Sequence, residues 1–311
     1  MCAMARAQQV EVDGRELSIT NLDKVMYPST GFTKGEVIDY YARIAPTIIP
    51  HLRGRPLTLK RYPEGAEAGH FFEKRCPKHR PEWVATASIW SEREDGEIEF
   101  CVCNDKPTLV WMAQLAALEL HPSLSLARHM ERPTVLGFDL DPGEPANVID
   151  CARVALRVRG LFGELGVECF PKTSGGKGLQ VYVPLNGRTT YATTKPYAHA
   201  VAQLLERMHP DEIVSRMTKK LRKGKVFVDW SQNTESKTTI AVYSLRARER
   251  PTVSTPLEWD EVEAAAESGD PEPIRFEAPQ VIERVEERGD LFAPVLELKQ
   301  RLPGLKALQK A

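Results

Sequence analysis

The feature that most constrains this chain is the stretch VLGFDLDPGE, residues 135–144, where two aspartates end an otherwise apolar run. The apolar residues predict a buried strand, and Asp-Pro-Gly is typical of a turn that ends it. Because side chains alternate between the two faces of a strand, Asp139 and Asp141 point the same way. Two ionised carboxylates at that spacing repel each other unless a cation lies between them, and Mg²⁺ or Mn²⁺ suits such an oxygen-rich setting.

A third acid, Asp229, ends a second predicted strand in KVFVDWSQ, on the same strand face as Phe227. Three aspartates at the ends of two strands can hold two metal ions about 3.5–4 Å apart, an arrangement used for phosphoryl or nucleotidyl transfer. The alternative is a strand followed by a plain acid-rich turn. The apolar residues TVLGF before the first two acids favour the metal site.

Two further stretches suit a phosphate-bearing ligand. TSGGKGLQVY places Ser174 and Lys177 around a glycine pair, where backbone N–H groups can approach a phosphate and the lysine adds positive charge. It lacks the Walker A spacing, so a plain hairpin turn stays open. RMTKKLRKGK, residues 216–225, holds six basic residues just before the strand of Asp229. It predicts a salt-dependent contact with a polyanion, unless it is only a solvated surface.

Other basic and polar residues suit contacts with a nucleotide or a nucleic acid. Gln232, Lys237 and Arg246 could contact a triphosphate, since arginine is suited to bidentate phosphate contacts. Near the N terminus, basic and aromatic residues are interleaved, as in surfaces that hold the phosphates of a single strand and stack its bases. These residues are Lys60, Arg61, Phe71 and Phe72. The alternative is that one of the two phenylalanines belongs to the core.

Composition bounds the class of protein. The 311 residues are 42% hydrophobic and 27% charged with a net charge of −1, so any nucleic-acid surface must be local. The chain has no apolar leader and no run long enough to span a membrane, which favours a cytoplasmic protein. Six cysteines do not suggest a disulfide scaffold. The spacing of Cys76, His79, Cys101 and Cys103 is irregular for structural zinc.

The remaining pattern predicts an α+β fold of mixed strands, hairpins and helices. Thr33 or Ser29 is suited to cap a helix over about 34–49, and residues 108–121 predict a buried helix. Residues 1–15 form a polar N-terminal segment, loosely ordered at its start. The acidic, proline-punctuated residues 250–311 predict a C-terminal wrap of short helices.

Three of these motifs occur together in a known family. The combination FDLDPGE, TSGGKGLQVY and KGKVFVDWSQN with SKTTIAVYSLR resembles the primase-polymerase domain of bacterial non-homologous end-joining ligase D, of the archaeo-eukaryotic primase superfamily. The resemblance runs from about Leu17 to beyond Asp290. It implies one catalytic domain over 1–311, an α/β fold whose archaeo-eukaryotic primase-like core has an RRM-like antiparallel sheet flanked by helices.

The resemblance also implies roles for individual residues. Asp139, Asp141 and Asp229 match the metal-binding acids, and Arg222 matches a residue that helps bring the nucleotide and metals into place at a DNA end. Further matches are Ser174, Lys177, His121 and Arg246 to nucleotide contacts, Asn21, Lys24 and Lys34 to a pocket for the 5′-phosphate of the downstream strand, and Phe71 and Phe72 to template stacking. Gln180 departs from the pattern, since many relatives have histidine there.

The expected activity is addition of ribo- or deoxyribonucleotides to primer 3′-OH ends, with two Mn²⁺ or Mg²⁺ ions and an NTP or dNTP as substrate. The expected partners are DNA primer-templates, gaps and ends with a 5′-phosphate, a Ku-type protein and a separate DNA ligase, with no membrane. The expected location is cytoplasmic, at the nucleoid. Two alternatives stay open: a non-catalytic nucleic-acid-binding module on an RRM-like sheet, and a metal-dependent nuclease using the same acids.

Overall fold

The computed structural model describes residues 7–308 and divides the chain into two compact units. Unit 1 comprises the described part of Met1–Pro122, together with Ile240–Val253 and Glu277–Gly289. Unit 2 comprises Ser123–Thr239, Ser254–Phe276 and the described part of Asp290–Ala311. The C-terminal segment therefore contributes to both units. The single catalytic domain expected over the whole chain stays a prediction.

The regular elements are fourteen strands and eight helices within residues 7–308. The strands are β1 Gln8–Val12, β2 Arg15–Ile19, β3 Val25–Tyr27, β4 Phe32–Thr33, β5 Pro56–Arg61, β6 Phe71–Glu73, β7 Thr86–Ser91, β8 Gly96–Val102, β9 Ala117–Pro122, β10 Val135–Pro142, β11 Phe170–Thr173, β12 Leu179–Pro184, β13 Ile213–Val214 and β14 Val226–Asp229. The helices are α1 Lys34–Leu52, α2 Lys106–Gln114, α3 Val148–Glu164, α4 Tyr191–Met208, α5 Trp259–Ser268, α6 Ala278–Arg288, α7 Pro294–Glu297 and α8 Leu305–Leu308. None of these helices is long and apolar enough to cross a membrane.

The N-terminal segment is more regular than its polar composition suggests. Its first six residues lie outside the described part of the chain. From Gln8 onward, β1 pairs with β2 in an antiparallel hairpin, with Asp13 and Gly14 in the left-handed turn between them. Leu17 and Ile19 alternate inward along β2 and are buried. The alternation of β2, rather than the overall polarity of residues 1–15, decides the structure here.

Unit 1 contains a sheet in the order β6-β5-β8-β7, with β9 also paired to β5. The helix predicted beside it is confirmed as α1, which begins at Lys34 and is capped by Thr33. The Thr33 side chain accepts from the backbone N–H of Glu36, whose carboxylate accepts from the Thr33 N–H in return. Val37 and Tyr41 lie on the buried face of this helix.

The prediction of one buried helix over 108–121 was wrong. Helix α2 ends at Gln114, and Ala116 adopts a left-handed conformation (φ 58°) that no helix continues through. The residues that follow form β9, whose Glu119 and His121 point to the same side and lie opposite β5. A short apolar run does not separate helix from strand by its pattern alone, and pairing with β5 decides it here.

Unit 2 contains the acidic strand at the centre of a five-stranded sheet, in the order β11-β12-β10-β14-β13. All neighbours are antiparallel except the edge pair β13 and β14, which is parallel. One face of the sheet carries apolar side chains such as Phe138, Leu140 and Val181, which share a buried cluster with residues of α3 and α4. The expected antiparallel sheet flanked by helices is therefore confirmed, apart from that edge pair.

The cysteines of unit 1 include a disulfide that the sequence did not suggest. Cys76 and Cys101 are bonded, with their Cα atoms 4.8 Å apart. The Cys76 N–H donates to the Glu99 carbonyl at 2.7 Å, which holds the loop after β6 alongside β8. No group of three or more His, Cys, Asp and Glu side chains among residues 7–308 is arranged to hold a metal ion. Because Cys76 and Cys101 are bonded to each other, neither offers a thiolate to a zinc ion.

Candidate active site

A row of polar side chains crosses one face of the unit 2 sheet. Lys172 lies opposite Gln180, Gln180 opposite Asp139, and Asp139 opposite Asp229, on four successive strands. Asp141 lies two residues along the same strand face from Asp139. The other face is apolar and packs against helices, so this row belongs to the opposite side. The fold thus makes two of the three predicted acids direct cross-strand neighbours.

Asp139 carries negative charge that its surroundings do not fully compensate. Its burial and the neighbouring Asp141 raise the pKa of Asp139 from its ordinary 3.8 to about 7, and Asp229 adds to the increase. The Gln180 side chain opposes this by donating from Nε2 to Asp139 Oδ1 at 3.1 Å. A half-buried carboxylate next to two others favours a bound cation or a bound proton.

Asp229 is held by its own downstream turn. Its Oδ1 accepts from the Ser231 N–H at 2.9 Å and from the Ser231 hydroxyl at 2.6 Å, and its Oδ2 accepts from Gln232 Nε2 at 2.7 Å. The Lys237 ammonium donates to the Ser231 hydroxyl. Two of the predicted triphosphate contacts, Gln232 and Lys237, therefore lie in one network with the third acid.

The donor set fits a hard divalent cation. Asp139, Asp141 and Asp229 supply only carboxylate oxygens, which Mg²⁺ and Mn²⁺ prefer, and burial together with the charges of Asp141 and Asp229 raises the pKa of Asp139. Within residues 7–308, however, the three carboxylates are not arranged as a ready metal-binding group. Substrate oxygens would have to supply further ligands. Such ions, when bound, stabilise charge that develops on phosphoryl oxygens.

The basic stretch 216–225 is joined to the turn after the acidic strand. The Gly143 N–H donates to the Lys225 carbonyl at 2.8 Å, and the Gly224 N–H donates to the Gly143 carbonyl at 2.9 Å. The guanidinium carbon of Arg222 lies 3.7 Å from the centroid of the Phe227 ring, and Phe227 lies opposite Asp141. Arg222 thus packs on a residue that lies opposite Asp141, and its role in bringing nucleotide and metals into place stays a prediction.

The predicted phosphate loop is a compact hairpin turn between β11 and β12. The Ser174 N–H donates to the Gly178 carbonyl at 2.9 Å, and the Ser174 hydroxyl accepts from the Gly176 N–H at 3.2 Å. Lys177 is exposed and pairs with Glu144, which is also exposed, at 2.9 Å. Such an exposed ion pair contributes little stability, so a phosphate could replace Glu144 as the partner of this lysine. The roles of Ser174 and Lys177 stay predictions.

Unit 1 gathers other predicted contacts around one buried acid. His121 Nε2 lies 2.9 Å from a carboxylate oxygen of Glu119, and Lys60 and Arg246 approach the other oxygen at 3.6 and 3.7 Å. Burial lowers the pKa of His121, and Arg246 and Lys60 lower it further, while Glu119 acts in the opposite direction. Glu119 was not among the predicted site residues, because a single glutamate on a short strand carries no pattern of its own.

Both phenylalanines of β6 are exposed, at 45% for Phe71 and 59% for Phe72. The expectation that one of them belongs to the core was therefore wrong. The Arg61 guanidinium lies 5.1 Å from the Phe71 ring centroid, and the Lys60 ammonium lies 5.4 Å from that of Phe72. The edge position of β6 leaves both rings uncovered, on opposite faces of the strand and each beside a cation, and their stacking role stays a prediction.

Asn21, Lys24 and Lys34 lie around one turn of unit 1. Asn21 adopts a left-handed conformation (φ 58°), and its carbonyl accepts from the Lys24 N–H at 3.0 Å. The Lys34 N–H donates to the Lys24 carbonyl at 2.8 Å. Burial lowers the pKa of Lys34 to about 8, with smaller contributions from Lys24 and Arg61. The Lys34 ammonium donates to the Thr20 carbonyl at 2.9 Å, and Lys24 pairs with Glu64 at 2.7 Å. The expected 5′-phosphate pocket at this turn stays a prediction.

The predicted residues fall into two sets, one in each unit. Unit 2 holds the acids and the residues near them: Asp139, Asp141, Ser174, Lys177, Arg222, Asp229, Gln232 and Lys237. Unit 1 holds the remaining ones: Asn21, Lys24, Lys34, Lys60, Arg61, Phe71, Phe72, His121 and Arg246.

Lys172 is a second residue of the candidate site that was not predicted from the sequence. It is fully buried, which is rare for lysine, and its ammonium lies 2.6 Å from the Ser254 hydroxyl. It also opposes the increase in the pKa of Asp139. The alternation of PKTS predicts only the face of β11 on which Lys172 lies. The pairing of β11, β12 and β10 puts it in line with the acids.

The acid row predicts a pH dependence of stability in metal-free buffer. Asp139 keeps a proton up to about pH 7 in the folded protein but releases it near 3.8 when unfolded. Between these values the folded state binds more protons, so the free energy of unfolding falls as pH rises. Calorimetry in chelator should show the melting temperature falling across this range, and less steeply in Asp139→Asn. Equal slopes for the two proteins would contradict the assignment.

Comparisons with known proteins identify the family of this chain. A family model for the LigD primase-polymerase domain matches residues 33–292. The multifunctional non-homologous end joining protein LigD of Mycolicibacterium smegmatis is 44% identical over 279 residues, covering 89% of this chain and 36% of that protein. The bifunctional non-homologous end joining protein LigD of Bacillus subtilis is 31% identical over 278 residues, covering 89% of this chain and 44% of that protein.

A solved structure is also similar. It is the polymerase domain from Mycobacterium tuberculosis ligase D in complex with DNA, with a TM-score of 0.83 and 40% identity, covering 91% of this chain and 99% of that one. The chain thus spans less than half the length of the two curated relatives above, but nearly all of a separately solved polymerase domain.

Proposed function

This chain belongs to the LigD primase-polymerase domain family, whose members are nucleotidyltransferases, and from that premise we propose how it acts. It transfers a nucleotide from a nucleoside triphosphate to the 3′-OH of a DNA primer and releases pyrophosphate. Asp139, Asp141 and Asp229 hold two divalent ions, Mn²⁺ or Mg²⁺. The family supports metal-dependent transfer, and the number and identity of the ions are part of the proposal.

The observation that carries the proposal is that the three acids Asp139, Asp141 and Asp229 lie beside the basic stretch 216–225. Asp139 and Asp229 are cross-strand neighbours, and Asp141 lies on the same strand face, beside the ring on which Arg222 packs. This side of unit 2 thus combines carboxylates for cations with cations for a polyanion. The chain needs no covalent nucleophile here. Its residues bind and orient the reactants, and its fixed charges stabilise the transferring phosphoryl group.

The DNA contacts proposed for unit 1 supply position rather than chemistry. Phe71 and Phe72 stack on template bases, Lys60 and Arg61 hold the backbone, and the turn of Asn21, Lys24 and Lys34 binds a 5′-phosphate. The exposed rings with cations at 5.1 and 5.4 Å support the first role. The DNA complex of the similar solved domain supports DNA as the partner. Gap filling and end extension during end joining, preference for ribonucleotides, a Ku-type partner and a location at the nucleoid complete the proposal.

The test is primer extension on gapped, overhanging and blunt substrates. Labelled primers are incubated with ribo- or deoxyribonucleotides and with Mn²⁺ or Mg²⁺. Elongation is the expected result. Shortening of the primer would instead identify a nuclease that uses the same acids. Retarded migration without any change in primer length would identify a binding module.

Replacing Phe72 with alanine is expected to weaken binding to a single-stranded overhang by about tenfold, since stacking of one base contributes about 1–3 kcal/mol. The melting temperature should not change, because the ring is 59% exposed. Trp90→Ala is the matched control, since Trp90 is similarly exposed (62%) on β7. Fluorescence anisotropy with labelled overhangs measures the affinity of each variant for DNA. Equal affinities for the two variants would contradict the stacking role.

A further inference from the structure

Glu119 joins three distant stretches of unit 1 through one carboxylate. The residue is buried, at 1% exposure. Its Oε1 accepts from the Tyr62 hydroxyl at 3.0 Å and from the Ala247 N–H at 3.2 Å. Its Oε2 lies 2.9 Å from His121 Nε2. The chain therefore meets this carboxylate at β9, just after β5, and in the segment that carries Arg246.

The same carboxylate is outnumbered by cations. Lys60 Nζ lies 3.6 Å and Arg246 Nε 3.7 Å from Oε1, and Arg248 is close enough to interact with Glu119 electrostatically. Burial alone would raise the pKa of Glu119, but the hydrogen bond from His121 and the charges of Arg246 and Lys60 hold it well below its usual range. Glu119 is thus ionised, and one negative charge faces three positive ones.

The cluster opens toward an exposed aromatic ring. Lys60 lies opposite both Glu119 and Phe72 on neighbouring strands, so the three share one sheet face. The His121 ring centroid is 6.2 Å from that of Phe72. Glu119 is the most deeply buried member, and Phe72 is the most exposed. The arrangement places the acid behind the basic groups and leaves their excess positive charge for an anionic ligand.

We propose that Glu119 is the positioning residue of this cluster, holding the imidazole of His121 and the guanidinium of Arg246 in the orientation that receives the phosphates of a nucleoside triphosphate. The identity of this ligand rests on the proposed function. The bond from His121 Nε2 fixes the direction of the ring, and the contact with Arg246 is ionic, at 3.7 Å, so most guanidinium N–H groups are left for the ligand.

The test separates nucleotide binding from the chemical step. Glu119→Gln keeps the shape of the side chain but removes its charge and presents an amide N–H to a cluster of donors. The KM for nucleoside triphosphate, at saturating primer-template, is expected to rise about tenfold while kcat changes less than about threefold. Binding of a non-hydrolysable nucleoside triphosphate should weaken by a similar factor. Glu212→Gln removes a carboxylate bonded to Arg157 in unit 2 and should leave KM unchanged.

A double-variant cycle tests whether Glu119 acts through His121. If it does, Glu119→Gln should raise KM by a smaller factor in the His121→Ala variant than in the wild-type protein. If Glu119→Gln does not fold, Tyr62→Phe takes its place, since it removes only the hydroxyl that donates to Glu119. It should raise KM about threefold.

An unchanged KM in the variant used, or a fall in kcat alone, would overturn the inference while the proposed function stands. A wild-type protein that neither binds nor incorporates nucleotides would overturn both.

Discussion

Asp139→Asn is expected to reduce primer extension by about a thousandfold while leaving affinity for DNA within about twofold. The asparagine fills the same space but removes a charged oxygen ligand from the centre of the row, between Gln180 and Asp229. Cation binding should weaken for the same reason. Primer extension under single-turnover conditions measures the first effect, and calorimetry with Mn²⁺ in the presence of a non-hydrolysable nucleotide measures the second.

The structure offers a control for this experiment and an internal check. Asp211→Asn changes an exposed aspartate before β13, and extension should not change. In metal-free buffer, Asp139→Asn should be at least as stable as the wild type at pH 8, because it removes a carboxylate whose pKa is raised by its neighbours. Extension at wild-type rates by Asp139→Asn would show that the acid row is not the catalytic centre, whatever the family of the chain.

Local sequence patterns predicted the features that lie within a single strand, helix or hairpin. Alternation along β10 is enough to put Asp139 and Asp141 on one face, and the capping residues of α1 are enough to locate its start. The hairpin that carries Ser174 follows from its glycines. In each case the decisive interactions join residues close together in the sequence, so the pattern and the structure agree.

Pairing between distant segments could not be predicted in the same way. The register that sets Asp139 against Asp229 joins residues ninety positions apart, and it is fixed by the apolar face of the whole sheet. The place of Lys172 in that row and the contacts of Glu119 arise from the same kind of pairing. The Cys76–Cys101 disulfide was missed for a related reason, since it depends on how a loop runs beside β8.

Gly143→Ala is expected to reduce extension by about a hundredfold, with all three acids intact. A Cβ at this position would lie 1.9 Å from the Arg222 carbonyl oxygen and 2.6 Å from its carbonyl carbon, both backbone atoms that no side-chain rotation can move away. The basic stretch must therefore shift from the turn after the acidic strand. Arg222 moves with it, and displacement of a positioning group by about 1 Å is enough for a loss of this size.

Gly160→Ala is the matched control, because a Cβ on that residue of α3 meets nothing within 4 Å and alanine favours a helix by about 1 kcal/mol. Extension by this variant should not change. The effect of Gly143→Ala should largely disappear in an Arg222→Ala background, since both changes act through the same side chain. Full additivity of the two changes would mean that Gly143 acts on the acids themselves. Extension at wild-type rates by Gly143→Ala would show that the contact between the turn and the basic stretch is dispensable.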